Sequence, residues 1–254
     1  MINYDFHDLS KRTDIELEQQ ITEGFTFGDY NSTENGMFLI SRDAPTPDSK
    51  DIVDSVPYMQ GVYDYSVLNF DRYFENREIT YQVILFEKQY VDRKIPEQEI
   101  KRQLMPYDVQ PLYDTHDEGY HWLGKCKSVS VEDDSEKNVL IATVVFDCYP
   151  FAILDDTEGA DIWDDVYFPR WVFQDTKFTV NNILRVELYN IGSTSVIPDI
   201  IASSDFKIEG QTNEITVKQG ENTDTQLALD VGQNILFIRG NGTIEFRFHR
   251  EEMI

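Results

Sequence analysis

Cysteine is scarce in this chain of 254 residues: there are two, Cys126 and Cys148. Neither has a second cysteine two to four residues away, so the spacing of a structural zinc site is absent. Both sit in strand-like runs, KCKSVSV and VVFDCYP, and read as reduced, partly buried thiols, with a bridge between neighbouring strands as the alternative. Basic residues are few, 22 Lys and Arg against 47 Asp and Glu, for a net charge of −25. Such a balance opposes nonspecific nucleic-acid binding, which needs cations against phosphate. No apolar run reaches the ~20 residues of a membrane helix, so no membrane insertion is expected. The opening MINYDFHDLSKR has no basic region followed by an apolar stretch, so synthesis in a cytosol is expected.

Chemistry-bearing motifs are equally sparse. No serine stands in a G-x-S-x-G turn, and no glycine-rich loop with Lys-Ser/Thr opens a helix. The acidic run from Asp155 to Asp165 fails as a calcium loop, because its sixth position is Ala160. His116 and His121 lie beside Asp114, Asp117 and Glu118, a conceivable transition-metal set that reads better as ordinary surface residues. Acid pairs for glycoside hydrolysis are inevitable among 47 acids, and no motif singles one out. No catalytic residue, metal or cofactor is expected.

Aromatic residues, at 13%, are abundant and suit half-buried pleated surfaces. Ile79, Tyr81, Val83 and Leu85 alternate with Thr80, Gln82 and Ile84, as do Ile244, Phe246 and Phe248 with Glu245, Arg247 and His249. That two-residue period predicts strands with one core face. Asn234–Ile238 predicts another strand, and Arg239-Gly240-Asn241-Gly242 predicts the tight turn of a terminal hairpin. Further strands are expected around Val56–Leu68, Tyr120–Val131, Val139–Asp147, Phe178–Leu188, Ser195–Ala202, Glu214–Val217 and Gln226–Leu229. Pro96, followed by Glu97 and Glu99 with Ile100 and Leu104 four apart, predicts a helix over Pro96–Met105. A weaker helix is expected at Asp14–Gln20. The polar stretch Ser41–Ser55 reads as an exposed excursion, and the acidic Leu154–Asp165 as a domain junction. The charge is spread over both halves, −15 for residues 1–150 and −10 for residues 151–254. The aromatics of IWDDVYFPRWVF, with Trp163 and Trp171, fit a core strand, a domain interface or a partner surface; a sugar platform is the remaining alternative.

Several segments carry a resemblance. In order these are GFTFGDY (Gly24–Tyr30), RYFENREITYQVILF (Arg72–Phe86), GYHWLGKCKSVSVE (Gly119–Glu132), VLIATVVFDCYPF (Val139–Phe151), LYNIGSTSVIPDI (Leu188–Ile200) and GQNILFIRGNGTIEFRF (Gly232–Phe248). The chain thereby resembles the distal tail proteins (Dit) of long-tailed siphovirus phages, over roughly Phe25 to Phe248. The resemblance implies a mainly β fold in two domains. Residues 1–152 would form a ring-making belt sandwich with one helix and an extended hairpin. Residues 153–254 would form a galectin-like sandwich, here without the sugar-binding signature of true galectins. It implies a hexameric hub at the tail tip of the virion, surrounding the DNA channel. The ring would join the major tail tube protein to the tail-associated tip protein and to receptor-binding or baseplate proteins. The alternative is an adhesion module that binds cell-wall saccharide. Arg72, Phe74 and Arg77 are expected near the belt's seam, and Trp163 and Trp171 at the domain junction or a partner surface.

Overall fold

The computed structural model describes residues 23–68, 71–86, 89–134, 136–159, 172–210 and 213–254. The expected helix at Asp14–Gln20, and Trp163 and Trp171, lie outside the described residues. The chain divides into two compact units, Met1–Pro150 and Phe151–Ile254. The architecture is mainly β, with one helix among the described residues.

In the first unit the strands are β1 (Phe25–Phe27), β2 (Tyr30–Asn31), β3 (Phe38–Asp43), β4 (Val53–Asp54), β5 (Tyr63–Asp64), β6 (Val67–Leu68), β7 (Asp71–Arg72) and β8 (Arg77–Phe86). Helix α1 (Tyr90–Leu104) follows, then β9 (Gln110–Asp114), β10 (Tyr120–Asp134) and β11 (Val139–Cys148). The main sheet runs β2-β1-β9-β10-β11-β8-β3, with every neighbour antiparallel. The alternating pattern of β8 and β11 sends Ile79, Tyr81 and Val83, and Ala142, Val144 and Phe146, to one buried face. The sheet curls until its two ends meet, where Leu39 N–H donates to the Glu23 carbonyl at 2.8 Å. Strands far apart in the sheet then face each other across the core. Phe25 stacks on Tyr81 at 5.1 Å and meets Phe146 edge-on at 5.5 Å.

Helix α1 begins six residues before the expected start, so Pro96 lies inside it rather than in its first turn. Ile100 and Leu104 are buried, as their spacing predicts, together with Arg93. The extra turns hold because the Arg93 guanidinium pairs with Asp133 of β10 at 2.6 Å and lies over the Tyr90 ring at 5.8 Å. That tertiary anchor outweighs the loss of one intrahelical bond at Pro96.

In the second unit the strands are β12 (Ala152–Leu154), β13 (Lys177–Asn190), β14 (Asp199–Ala202), β15 (Phe206–Glu209), β16 (Glu214–Val217), β17 (Gly220–Asn222), β18 (Gly232–Arg247) and β19 (Glu251–Glu252). The expected terminal hairpin is not formed. Residues 232–247 make one continuous strand, paired with β13 from Lys177↔Glu245 to Asn190↔Gly232. Along its other side β18 meets β15 and then β14, end to end. Gly240 and Gly242 have positive φ, 153° and 137°, without turning the chain. They fall on the core-facing positions of β18, where a side chain would otherwise stand. A Cβ at Gly240 would meet the Phe206 ring at 2.4 Å, and one at Gly242 the Ser203 hydroxyl at 2.4 Å. The glycines are there for close approach, and Asn-Gly here is a strand feature.

Two other expected strands shrink. Only Asp199–Ala202 of the Ser195–Ala202 segment is a strand, and in Gln226–Leu229 only Leu229 pairs, with Val196. The buried set includes Val180, Leu188, Ile200, Phe206, Ile238, Ile244 and Phe246. The unit's start is tied to its end: β12 pairs with β19, and Glu158 N–H donates to the Phe248 carbonyl at 2.9 Å. The acidic stretch therefore begins within a strand of this unit. Arg250 lies 2.9 Å from Glu252 and 3.5 Å from Glu158, and all three are buried.

Candidate assembly surface

Between β3 and β8 the chain leaves the sandwich and returns. Ser41–Asp43 still belong to β3, and residues 44–68 and 71–76 form an arm. The outgoing and returning limbs are joined by Lys50 N–H to the Tyr73 carbonyl and Glu75 N–H to the Asp48 carbonyl, both 2.8 Å. Farther out, β4 pairs with β5, and β6 with β7. The strand expected over Val56–Leu68 is thus reduced to the two-residue pieces β5 and β6. Its apolar side chains have no sheet face to cover. Ile52, Val53, Tyr58, Val62, Tyr65 and Val67 are all exposed, Ile52 at 63% and Tyr65 at 57%. Tyr63 and Tyr65 stack on each other, centroids 6.3 Å apart.

Two-residue ladders have little stability of their own, and a run of exposed apolar side chains costs solvation free energy. Exposed apolar side chains also stand on α1 and beyond it, at Tyr90, Val91, Ile95, Tyr107 and Val109. The arm carries six acids against two bases over residues 44–76, while α1 carries four bases against three acids.

The arm's root is polar and buried. The Asp114 side chain is inaccessible to solvent. It accepts from Tyr81 Oη at 2.6 Å, Arg42 Nε at 2.8 Å, and the backbone N–H groups of His116 and Asp117 at 3.0 and 2.9 Å. Arg42 also pairs with Asp117. Burial pushes the Asp117 carboxyl above the usual carboxylate range, against the pull of Arg42. The guanidinium groups of Arg42 and Arg77 lie 5.4 and 5.9 Å from the buried Trp122 ring. Asp114 and Asp117, adjacent to the histidines in sequence, therefore serve an arginine network. The His121 ring packs against Tyr113 at 5.2 Å. Among the described residues no group of three or more His, Cys, Asp or Glu is disposed to hold a metal ion.

Of the expected interaction residues, Arg72 and Phe74 lie on the returning limb, with the guanidinium 5.8 Å from the Phe74 ring. Arg77 is buried at the limb's end and donates to the Ala44 carbonyl at 2.7 Å. Arg72 and Phe74 thus touch each other on the returning limb, while Arg77 stands at its root. Arg42 had no signal in the sequence, and Asp114 stood out only as a neighbour of the histidines, since the pairing of two strand-end residues 72 positions apart leaves no local pattern. Cys126 and Cys148 are free and lie on adjacent strands, but opposite Phe146 and Gly124 rather than each other. Burial pushes their thiols up to about 11 and about 12.

The two units, the helix and the long apolar arm define a two-part, mainly β protein. No protein-family model matches the chain, and no curated protein matches it. Among solved structures it is similar to the Dit protein (gp 19.1) of phage SPP1, described as a paradigm of the hub adsorption apparatus in phages infecting Gram-positive bacteria. The TM-score is 0.64 at 10% sequence identity, over 90% of this chain and 99% of that one, and the fold is shared.

Proposed function

We propose that this chain is a structural hub of a phage tail tip, a distal tail protein that self-assembles through its first unit. The exposed apolar arm carries this reading. A head-to-tail ring needs two different surfaces on each copy, one for each neighbour. The arm supplies one, and the exposed apolar side chains of α1, Val91 and Ile95 among them, supply the other. The shared fold with the SPP1 hub protein supports the same role. In this reading residues 1–152 are the belt of a hexameric ring around the DNA channel, and residues 153–254 form the outer domain. The ring links the tail tube to the tip protein and the host-adhesion proteins. The acidic surface keeps the channel repulsive toward DNA phosphates. The role is structural, not catalytic.

The test is the native mass and electron microscopy of the purified chain beside an arm-shortened variant, with residues 52–65 replaced by a short Gly-Ser turn. Six-fold rings in the intact chain, lost in the variant, are expected. Monomers at every concentration, or rings that survive shortening, would refute self-assembly through the arm.

A further inference from the structure

The arm's two roots meet one buried charge network, and this arrangement has a mechanical meaning. Arg42 is the penultimate residue of β3, two residues before the arm begins, and Arg77 is the first residue of β8, where it ends. Both guanidinium groups sit over the Trp122 ring on β10. Arg42 is held by Asp114 and Asp117, which belong to the end of β9 and to the turn before β10. Arg77 reaches back to the Ala44 carbonyl, joining returning limb to outgoing limb. With all four ionised, the two arginines and two aspartates balance in charge.

The geometry points to this network as a latch that fixes the direction in which the arm leaves the sandwich, so that the arm is presented to a partner at a set angle. In the outer part of the arm the ladders are two residues long and the apolar side chains are exposed, whereas its base is restrained by this network and by the hydrogen bond of Asn76 to Asp147 on β11, 3.1 Å. At the root, by contrast, Asp114 accepts four hydrogen bonds from three elements: Tyr81 on β8, Arg42 on β3, and its own turn. A buried charge that loses its partner is costly, and a network of this kind therefore has one favoured arrangement. The arm's purpose in assembly rests on the reading above, whereas the latch is a property of the single chain.

Pulsed electron-electron spin resonance on the full chain as monomer tests it. One nitroxide pair spans arm and sandwich, at Tyr58→Cys and Lys137→Cys. A control pair stays within the sandwich, at Glu34→Cys and Lys137→Cys. The native thiols are buried and do not compete for label. The wild-type background is expected to give a narrow distance distribution for both pairs. Asp117→Asn, at the partly exposed end of the network, is expected to broaden the arm distribution about twofold and leave the control unchanged. Arg42→Lys keeps the charge but loses the two-pronged contact, and is expected to broaden it in the same selective way. An arm distribution unchanged in both variants would overturn the latch. So would equal broadening of both pairs, which would make the network general core glue. Neither result depends on ring formation, so failure of the latch and failure of the hub reading are separable.

Discussion

Gly240 shows how a single residue decides a whole strand. Its Cβ position is filled by the Phe206 ring, and its φ of 153° is one that L side chains rarely adopt. Gly240→Ala is therefore expected to destabilise the second unit by about 3 kcal/mol, part overpacking and part backbone strain. Urea unfolding measures this, and Phe206→Leu in the same chain should recover a part of the loss through coupling. A loss near zero would mean that Phe206 moves aside freely. Glu158 gives a second prediction at this scale. Burial pushes its carboxyl above the usual range, with Arg250 and Gln174 opposing, Glu252 adding and His249 opposing. A carboxyl whose folded pKa is raised holds its proton more tightly when folded. Its contribution to stability is largest in acid and shrinks as pH rises from the ordinary value of 4.5 through the raised one. Glu158→Gln removes that titration. Melting temperature is expected to fall less steeply with rising pH in the variant than in the wild type over that interval, and parallel profiles would count against the buried charge.

Elements were legible in the sequence in proportion to how local their causes are. The alternation of Ile79–Leu85 and of Ile244–Phe248 was enough for β8 and the end of β18, because a strand's period is written in the strand itself. The helix was half legible: Ile100 and Leu104 lie on the expected face, but its first turns depend on Arg93 reaching Asp133, a contact 40 residues away. The terminal hairpin failed for the same kind of reason. Asn-Gly favours a turn in isolation, and Phe206, from a distant strand, converts the glycines into a place for its ring. The arm was legible as an excursion at Ser41–Ser55, but its apolar outer part, Val56–Leu68, read as one strand, since whether a run finds a sheet to join is not a property of local sequence. Its latch, Arg42 with Asp114 and Asp117, was not legible at all. The helix carries a prediction of its own. Pro96 removes an N–H from the interior of α1, where proline is about 3 kcal/mol worse than alanine. The unfolded chain gains conformational entropy when proline is replaced, which offsets part of that benefit, so Pro96→Ala is expected to stabilise the first unit by about 1–2 kcal/mol. Chemical denaturation followed at Trp122 reads it, and a destabilised variant would show that the ring itself packs usefully.

At the scale of the whole molecule the dominant quantity is the net charge of −25. Copies carrying such a charge repel one another, and a head-to-tail ring brings them into contact on two sides. The contact surfaces proposed here are apolar, so salt removes the repulsion without removing the attraction. The screening length falls from about 30 Å at 0.01 M ionic strength to about 8 Å at 0.15 M, so repulsion between charges farther apart than that is largely screened. Self-assembly is therefore expected to strengthen as sodium chloride rises from about 10 to 150 mM, at constant protein concentration. Mass photometry across that range measures it directly. Ion pairs between the acid-rich arm and the lysines of α1 would pull the other way, since an interface held by opposite charges weakens as salt rises. The direction of the response thus separates two physical pictures of the same ring. Growth of the ring with salt places the attraction in the apolar side chains of the arm, such as Ile52, Val62 and Tyr65. Dissolution with salt places it in ion pairs between arm acids and Lys94 and Lys101, which in the single chain pair with Glu97, and replacement of those lysines, not of the arm's apolar residues, should then abolish assembly.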